Sequence, residues 1–418
     1  MNLNKLNNGI KIISERNEYV QSINVGMFIR SGSVFEIKDN NGVSHFIEHL
    51  YFRTKIDKKS YAEILSELGV KFGAFTGKEY TCFYFRFTNM NYKLIIKTIK
   101  DMLKNFDQIN ESSFTVEKNV IKSELEMYLN NKQEMNTKRA MELSFPDQSI
   151  SFEILGTLES LDYLTLDKIK QYYKEFYKPE HIILSVVGDI NQEIKDYFEK
   201  TFSEIETMDQ LDSKEIDYPK FHYTGGYGIT KSESDQLIID INFHTNYLTE
   251  RDNYSVYLLN SILGYGSKMS RLNREFKENL GIAYSIYSYP TRIKNNYLLS
   301  IHAEINKMSL KEFFIRLRNV IVNLQNTYVT DEELKHAMSN YYTSLVFGLE
   351  APMDKMFYYG KSSILNHKIY SIIESYNIMK SVSKAEIKSM ASSFFVSKPT
   401  LAITGNLDSK ELNYYLNS

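Results

Sequence analysis

The chain has 418 residues, of which 43% are hydrophobic and 24% are charged, and its formal net charge at pH 7 is −2. This composition is typical of a folded globular protein and excludes a disordered or fibrous one, while the nearly balanced charge gives no reason to expect nucleic acid or an anionic membrane as a partner. The length exceeds what one hydrophobic core usually serves, so we expect two or three domains.

The single cysteine, Cys82, cannot form an intrachain disulfide, which suits a reducing compartment. A structural zinc site made of cysteines is excluded for the same reason, so a metal would need histidine and carboxylate ligands. The opening residues, Met1 to Lys5, lack the apolar core of a signal peptide, and no apolar run approaches the roughly 18 residues that cross a bilayer. We therefore expect a cytoplasmic protein with no membrane partner.

The first part of the chain alternates between strand and helix patterns. Apolar and polar residues roughly alternate over 9–14 and 22–30, which predicts two strands. After the turn signal Asn40-Asn41-Gly42, apolar residues at helical spacing predict an amphipathic helix over 43–50. The next predicted elements are a helix over 60–68, a pair of strands over 72–87, and long helices over 92–106 and 114–131.

One sequence unit occurs twice. Lys178-Pro179 precedes an apolar strand over 182–187, a Gly-Asp turn and a helix over 193–202. The end of the chain repeats this design, with Lys398-Pro399, a strand over 400–404, Gly405-Asn406 and a helix from Ser409 onward. An internal repeat of this kind predicts two homologous domains in tandem.

The predicted domains are residues 1–205 and 229–418, joined by the polar segment 206–228 as a linker. In each half the predicted elements follow one another in the order strands, helix, strands, helices, strand and helix. Strands and helices that are segregated in this way predict the α+β class, with a mostly antiparallel sheet and helices on one face.

The sequence His45-Phe46-Ile47-Glu48-His49 is the strongest chemical signal. Residues four apart share a helix face, so both imidazoles can reach one metal ion. Glu48 projects to nearly the same side, where it can activate an attacking water without becoming a ligand. Zinc with three protein ligands keeps a position open for chemistry, and this spacing is the inverzincin motif, H-x-x-E-H. The sequence therefore predicts a Zn²⁺ site and hydrolysis of peptide bonds.

The third ligand must come from another element. The helix predicted from Phe114 carries Glu117 and Glu124, seven residues apart and hence on one face. Glu124 is the candidate ligand, and Glu117 is the candidate group that orients an imidazole. Glu126 is predicted to be only a solvated helix residue. The competing interpretation is a chance motif whose two histidines are ordinary surface residues on a half-apolar helix.

Motifs along nearly the whole chain resemble those of one known family. In the first half they are LNNGI at 6–10, SGS at 31–33, HFIEHLYF at 45–52, GAFT at 73–76 and EKNVIKSE at 117–124. In the second half they are LGYG at 263–266 and the run from SRL at 270–272 through GIAYS at 281–285. They resemble the pitrilysin/insulinase zinc metallopeptidase family, in the short two-domain branch that includes the mitochondrial processing peptidase β subunit and bacterial homologues.

The resemblance implies a fold and a way of working. Each domain would be an αββαββ unit of the LuxS/metallopeptidase-like type, and one chain would form half of a clamshell. A second chain, identical or related, would close a chamber around peptides or unfolded segments. The substrate would add a strand to an exposed sheet edge, which Ala74, Phe75 and Thr76 would form. The alternative interpretation of residues 74–76 is an ordinary amphipathic strand.

The chain departs from the family at substrate-binding positions. Gly73 stands where the family usually has Asn, so one contact to the substrate backbone is expected to be absent. The family commonly has an Arg and a Tyr seven apart that contact substrate near the metal. Here Tyr284 fits, either as an oxyanion donor or as a core aromatic, but Lys277 replaces the Arg and lacks its bidentate fork. Arg274 or Arg271 are the alternatives for that role.

Three functions remain open from the sequence. The first is an active zinc endopeptidase that cuts peptides. The second is a subunit that needs a partner chain for substrate binding, or one that binds peptides without cutting. The third, an unrelated ligand-binding module, would have to explain both the internal repeat and the placement of Glu124. The four metal-centre residues favour the first.

Overall fold

The computed structural model describes residues 1–56, 58–206, 216–246, 248–266 and 268–412. The strands, in chain order, are β1 Asn2–Lys5, β2 Lys11–Arg16, β3 Ser22–Ile29, β4 Lys55–Ile56, β5 Lys59–Ser60, β6 Lys71–Thr76, β7 Thr81–Thr88, β8 Ile182–Gly188, β9 Gly226–Lys231, β10 Gln236–Asn246, β11 Ala283–Ile293, β12 Asn296–Asn306 and β13 Thr400–Gly405. The α-helices are α1 Val43–Tyr51, α2 Tyr61–Glu67, α3 Tyr92–Lys104, α4 Glu111–Leu129, α5 Lys132–Ser144, α6 Leu158–Tyr163, α7 Leu166–Phe176, α8 Gln192–Ser203, α9 Asp252–Leu263, α10 Arg271–Asn273, α11 Leu310–Asn326, α12 Asp331–Phe347, α13 Pro352–Ile364, α14 Ile372–Lys380 and α15 Lys384–Phe395.

The chain divides into two units, and each contains one large sheet. The first unit comprises residues 1–127, 152–219 and 347–369, and the second comprises 128–151, 220–346 and 370–418. Each unit therefore contains a helix from the other half of the sequence. The first unit includes α13, and the second includes α5.

The first sheet has the strand order β1-β2-β8-β3-β7-β6. Its pairs are antiparallel except β2 with β8, which run parallel. β8 is buried along its whole length, as the apolar sequence predicted for 182–187 requires. β6 stands at the end of the order, so β7 is its sheet neighbour among the described residues.

The second sheet repeats this plan, with the order β11-β12-β10-β13-β9. β13 lies between a parallel neighbour, β9, and an antiparallel one, β10, as β8 lies between β2 and β3. The internal repeat and the predicted α+β class with mostly antiparallel sheets are thus confirmed.

Helix α13 covers the face of the first sheet opposite to α1. Its residues Met356 and Tyr359 pack into a core cluster with Phe28 of β3, Cys82 of β7 and Val187 of β8. A helix layer on one face was predicted, and α13 adds helical cover on the other. The reason is physical, since central strands that are apolar on both faces need cover on both sides.

Helix α5 meets the second sheet through polar side chains. The buried Asp240 of β10 accepts a hydrogen bond from Nδ2 of Asn136 at 2.7 Å. Its other oxygen pairs with Nδ1 of His302, on β12, at 2.9 Å. Nε2 of His302 lies 3.6 Å from an oxygen of Glu304. These hydrogen bonds and charges join α5, β10 and β12.

Several element boundaries differ from the sequence-based expectation. The helix predicted over 114–131 is α4, which begins at Glu111 and ends at Leu129, because Asn131 caps the next helix, α5. β9 begins at Gly226, inside the range 206–228 predicted as a linker, because it pairs with β13. The helix predicted from Ser409 begins there, and residues 413–418 and 207–215 lie outside the described part of the chain.

Among the described residues, no helix combines the length and apolar character that crossing a bilayer requires.

Candidate metal centre

Helix α1 carries the H-x-x-E-H sequence and is fixed at its N-terminus by a buried carboxylate. Glu36 accepts hydrogen bonds from the backbone N–H groups of Gly42 at 2.7 Å and Ser44 at 2.9 Å, and from the Asn41 amide at 2.8 Å. These bonds satisfy donors that the first helical turn leaves free, and a negative charge there suits the helix dipole. Burial nevertheless raises the pKa of Glu36.

The two histidines of α1 lie side by side, with ring centroids 4.6 Å apart. Glu124 reaches them from α4, which is held in place by its buried residues Ile121 and Leu125. One Glu124 oxygen lies 3.5 Å from Nε2 of His49 and 4.0 Å from Nε2 of His45. One ligand atom from each of these three residues lies within 4.8 Å of the others. The structure thus brings the three predicted ligands together.

The donor set fits zinc. Two imidazoles and one carboxylate are a ligand set known from catalytic zinc sites. Burial, and secondarily the charge of His49, lowers the pKa of His45 to about 3, so its imidazole stays neutral, which is the form that binds metal. Nδ1 of His45 is buried and has no hydrogen-bond partner among the described residues.

Glu117 contacts both His49 and Arg53 through its carboxylate. Its carboxylate is buried, and one oxygen accepts a hydrogen bond from Nδ1–H of His49 at 3.1 Å. That bond leaves the Nε2 lone pair of His49 directed toward Glu124 and the metal position. The other oxygen of Glu117 forms an ion pair with Nε of Arg53 at 2.7 Å. The sequence indicated Glu117 but not Arg53, whose only signal was its place four residues after His49.

Glu48 is held beside the cluster. It lies between the two histidines in sequence, but it is not part of the group whose ligand atoms converge. Thr76 Oγ1, on β6, donates a hydrogen bond to Oε2 of Glu48 at 2.5 Å. Burial raises the pKa of Glu48, and the Thr76 hydrogen bond partly opposes that shift. A carboxylate with a raised pKa beside a metal position is suited to accept and return a proton.

The predicted substrate strand is the edge strand β6. Its side chains alternate, with Thr76 on the face of α1 and Phe75 on the face of α13, where its ring lies 5.8 Å from that of Phe357. Gly73 pairs across the sheet with Tyr84, and any side chain at Gly73 would collide with the Tyr84 phenol. The space of the usual family Asn is therefore occupied by Tyr84.

The candidate residues of the second half lie in the second unit. Lys277 is exposed in a π-helix, Arg274–Asn279, and Tyr284 is 81% exposed on the edge strand β11. The structure therefore does not place Tyr284 in a core. Arg271 makes a two-pronged pair with Glu333 at 2.7 and 3.0 Å. Arg274 donates a hydrogen bond to the Met269 carbonyl at 3.4 Å and is otherwise exposed.

Two family models match the chain, and together they span most of it. The insulinase model, peptidase family M16, matches residues 11–158. The model described as the peptidase M16 inactive domain matches residues 163–341. The first contains the whole predicted metal centre, and the second contains Lys277 and Tyr284.

Relatives and solved structures match over nearly their whole length. An uncharacterized zinc protease of Bacillus subtilis is 28% identical over 96% of this chain and 98% of its own. One of Rickettsia bellii is 27% identical over 97% of both. A protease from Helicobacter pylori has a TM-score of 0.87 at 19% identity, covering 97% of this chain and 99% of that one. A chain of complex III2 from Candida albicans has a TM-score of 0.82 at 16% identity, covering 100% and 99%. These two structures confirm the fold.

Proposed function

The chain belongs to the insulinase family of M16 peptidases, and on that premise we propose that it is a zinc-dependent endopeptidase that cleaves peptides or unfolded segments. One observation carries the proposal, namely that ligand atoms of His45, His49 and Glu124 lie within 4.8 Å of one another. Relatives of almost equal length that are named zinc proteases support zinc as the metal.

In this mechanism each side chain has one task. His45, His49 and Glu124 would hold the zinc ion, which would supply Lewis-acid chemistry for the scissile carbonyl and for the attacking water. Glu48 accepts the proton of the attacking water and delivers it to the leaving amine. Glu117 keeps His49 in the tautomer that binds metal. By resemblance to the family, the exposed phenol of Tyr284 is our candidate for the donor of a hydrogen bond to the charge that develops on the carbonyl oxygen.

We assign substrate binding to the open edge of β6. Backbone groups of Ala74, Phe75 and Thr76 would pair with an extended peptide, as in other cases of strand addition. The position of β6 at the end of the strand order supports this assignment, since its outer backbone groups have no sheet neighbour among the described residues. The cationic contact to substrate falls to Lys277 or Arg274, because Arg271 is already engaged with Glu333.

We further propose that two chains, identical or related, enclose the substrate in a chamber within the cytoplasm. The support for this proposal is the resemblance to the short branch of the family, in which two chains close the chamber. Mass measurement of the purified protein in solution tests the proposal. A dimer is expected, and a monomer with full activity would contradict it.

One observation favours a second function, that of a subunit which needs a partner for substrate binding. Position 73 is a glycine, so the side-chain contact that Asn usually makes in the family is missing, and the Tyr84 phenol lies in the space next to it. A related chain that carries that contact could supply it. Purified protein alone would then bind zinc yet cut poorly, and adding the partner would restore cleavage.

The decisive experiment compares wild type with Glu48→Gln. Both proteins are purified, their zinc content is measured, and both are incubated with unstructured peptides with and without a chelator. We expect equal zinc content, chelator-sensitive cleavage by wild type, and a loss of about 10²–10⁴ in kcat for the variant. Equal cleavage by the two proteins would remove Glu48 from the mechanism.

A further inference from the structure

The hydrogen bond between Thr76 and Glu48 joins the edge strand to the metal helix. Thr76 Oγ1 donates to Oε2 of Glu48 at 2.5 Å, a short distance for a charge-assisted bond. A carboxylate on a flexible side chain can rotate, and Glu48 stands between two residues whose imidazoles converge on one point. If the bond to Thr76 were absent, rotation of the Glu48 side chain could carry its carboxylate toward the three ligand atoms that converge beside it.

Both ends of this bond are anchored to the same short segment before α1. On the strand side, Thr81 donates to the Ser31 carbonyl at 2.9 Å, and Thr81 is the cross-strand partner of Thr76. On the helix side, the Ser31 hydroxyl lies 3.2 Å from that of Ser44 in α1. Strand β7, which pairs with β6, and helix α1, which carries Glu48, are thus both hydrogen-bonded to Ser31.

We propose that Thr76 is a positioning residue that holds the Glu48 carboxylate beside the metal and keeps it out of the metal's coordination sphere. One oxygen of Glu48 is occupied by the Thr76 hydroxyl, which fixes the rotation of the carboxylate and leaves the other oxygen to accept a proton. A fourth protein ligand would close the position that catalytic zinc sites keep open. This inference rests on the proposed function, in which Glu48 is the proton acceptor, and gives Thr76 a task apart from any backbone contact with substrate.

The first test separates positioning from substrate binding. Thr76→Val removes the hydroxyl and keeps the shape, and we expect kcat to fall by about 10–100-fold with KM and zinc content unchanged. Thr76→Ser retains the donor and should lose far less. Thr88→Val, at the exposed end of the neighbouring strand β7, is the matched control and should behave as wild type. A rise in KM alone, or equal losses in the Val and Ser variants, would overturn the inference.

The second test does not use activity. Metal-free protein is loaded with Co²⁺, whose visible absorption reports the number and kind of its ligands. Thr76→Val should alter the spectrum relative to wild type, because the released Glu48 carboxylate can reach the ion. The double variant Thr76→Val/Glu48→Gln should restore a spectrum close to that of Glu48→Gln alone.

The two tests distinguish the inference from the proposed function. If wild type fails to cleave any peptide when loaded with zinc, the proposed function fails, and the Co²⁺ spectra alone decide the role of Thr76. If wild type cleaves and Thr76→Val matches it in both kcat and spectrum, the function stands and the inference about Thr76 is wrong.

Discussion

Glu117 and His49 form a hydrogen bond of 3.1 Å that connects the second helix of the metal centre to the first. Removing a carboxylate that orients a metal-bound histidine typically costs 10–100-fold in metal affinity. We therefore expect Glu117→Ala to weaken zinc binding by about that factor in a chelator competition assay. Glu111→Ala, at the start of the same helix, should leave the affinity unchanged, and an equal loss in both variants would exclude a specific role for Glu117.

Arg53 should matter less than its partner. Its side chain is 56% exposed, although its Nε lies only 2.7 Å from Glu117. Exposed ion pairs contribute about 0–1 kcal/mol, so Arg53→Ala should weaken zinc binding by less than about fivefold. The same competition assay measures it, and a loss as large as that of Glu117→Ala would show that the carboxylate cannot orient His49 without the arginine.

Glu124 should be indispensable for metal binding, unlike its near neighbour. Glu124→Ala removes a direct ligand, and we expect zinc affinity to fall by more than about 100-fold, beyond what a supporting contact contributes. Glu126→Ala, on another side of α4, is the matched control. Zinc content per chain after dialysis measures both, and equal occupancy would remove Glu124 from the ligand set.

Tyr284 should affect catalysis without affecting the metal. Loss of an oxyanion donor costs about 10²–10³ in kcat, so Tyr284→Phe should lose a factor of this order while zinc content stays at the wild-type level. Tyr227→Phe provides the control, because Tyr227 is 49% exposed on β9, the strand at the other end of the same sheet. Steady-state kinetics on an unstructured peptide measures both, and similar kcat values for the two variants would leave Tyr284 without a catalytic task.

The pair of His302 and Asp240 should make the stability of the protein depend on pH. Burial by itself lowers the pKa of His302, but the hydrogen bond and charge of Asp240, with help from Glu304, outweigh it and raise the pKa above the usual 6.5. A raised pKa in the folded state means that the stabilisation is complete below the unfolded pKa and disappears as pH rises through the folded one.

We therefore expect His302→Gln to destabilise the protein most near pH 6 and progressively less toward pH 9. At pH 6 the loss should be about 1.5–3 kcal/mol, the usual contribution of a hydrogen bond to a charged group. Calorimetry across this pH range measures the difference from wild type. A difference that is constant or grows with pH would mean that His302 is neutral in the folded protein.

The sequence predicted the parts of the site that lie within one helical turn. The positions of His45, Glu48 and His49 follow from helical spacing alone. The spacing of Glu117 and Glu124 indicated a second helix face, but their approach to α1 depends on how α4 packs, which only the fold determines. The contacts of Thr76 with Glu48 and of Arg53 with Glu117 join separate elements, so no local pattern could reveal them.

For the fold as well, local elements could be predicted from the sequence and contacts between distant elements could not. The repeated strand-and-helix units were visible because their apolar runs and flanking turns are local. The placement of α13 in the first unit could not be predicted, because the sequence of an amphipathic helix does not determine which sheet its apolar face will cover. Likewise, Tyr84 explains the glycine at position 73, but the two residues meet only after β6 and β7 have paired.

The exchange of helices between the halves has a consequence for biosynthesis. Domains generally fold as units while the chain leaves the ribosome, the N-terminal one first. Here the first sheet receives its covering helix only from residues 352–364. Until residues 352–364 have left the ribosome, the side chains of Phe28 and its apolar neighbours lack the helix that covers them. The core around Phe28 can therefore be completed only after residues 352–364 have been synthesised.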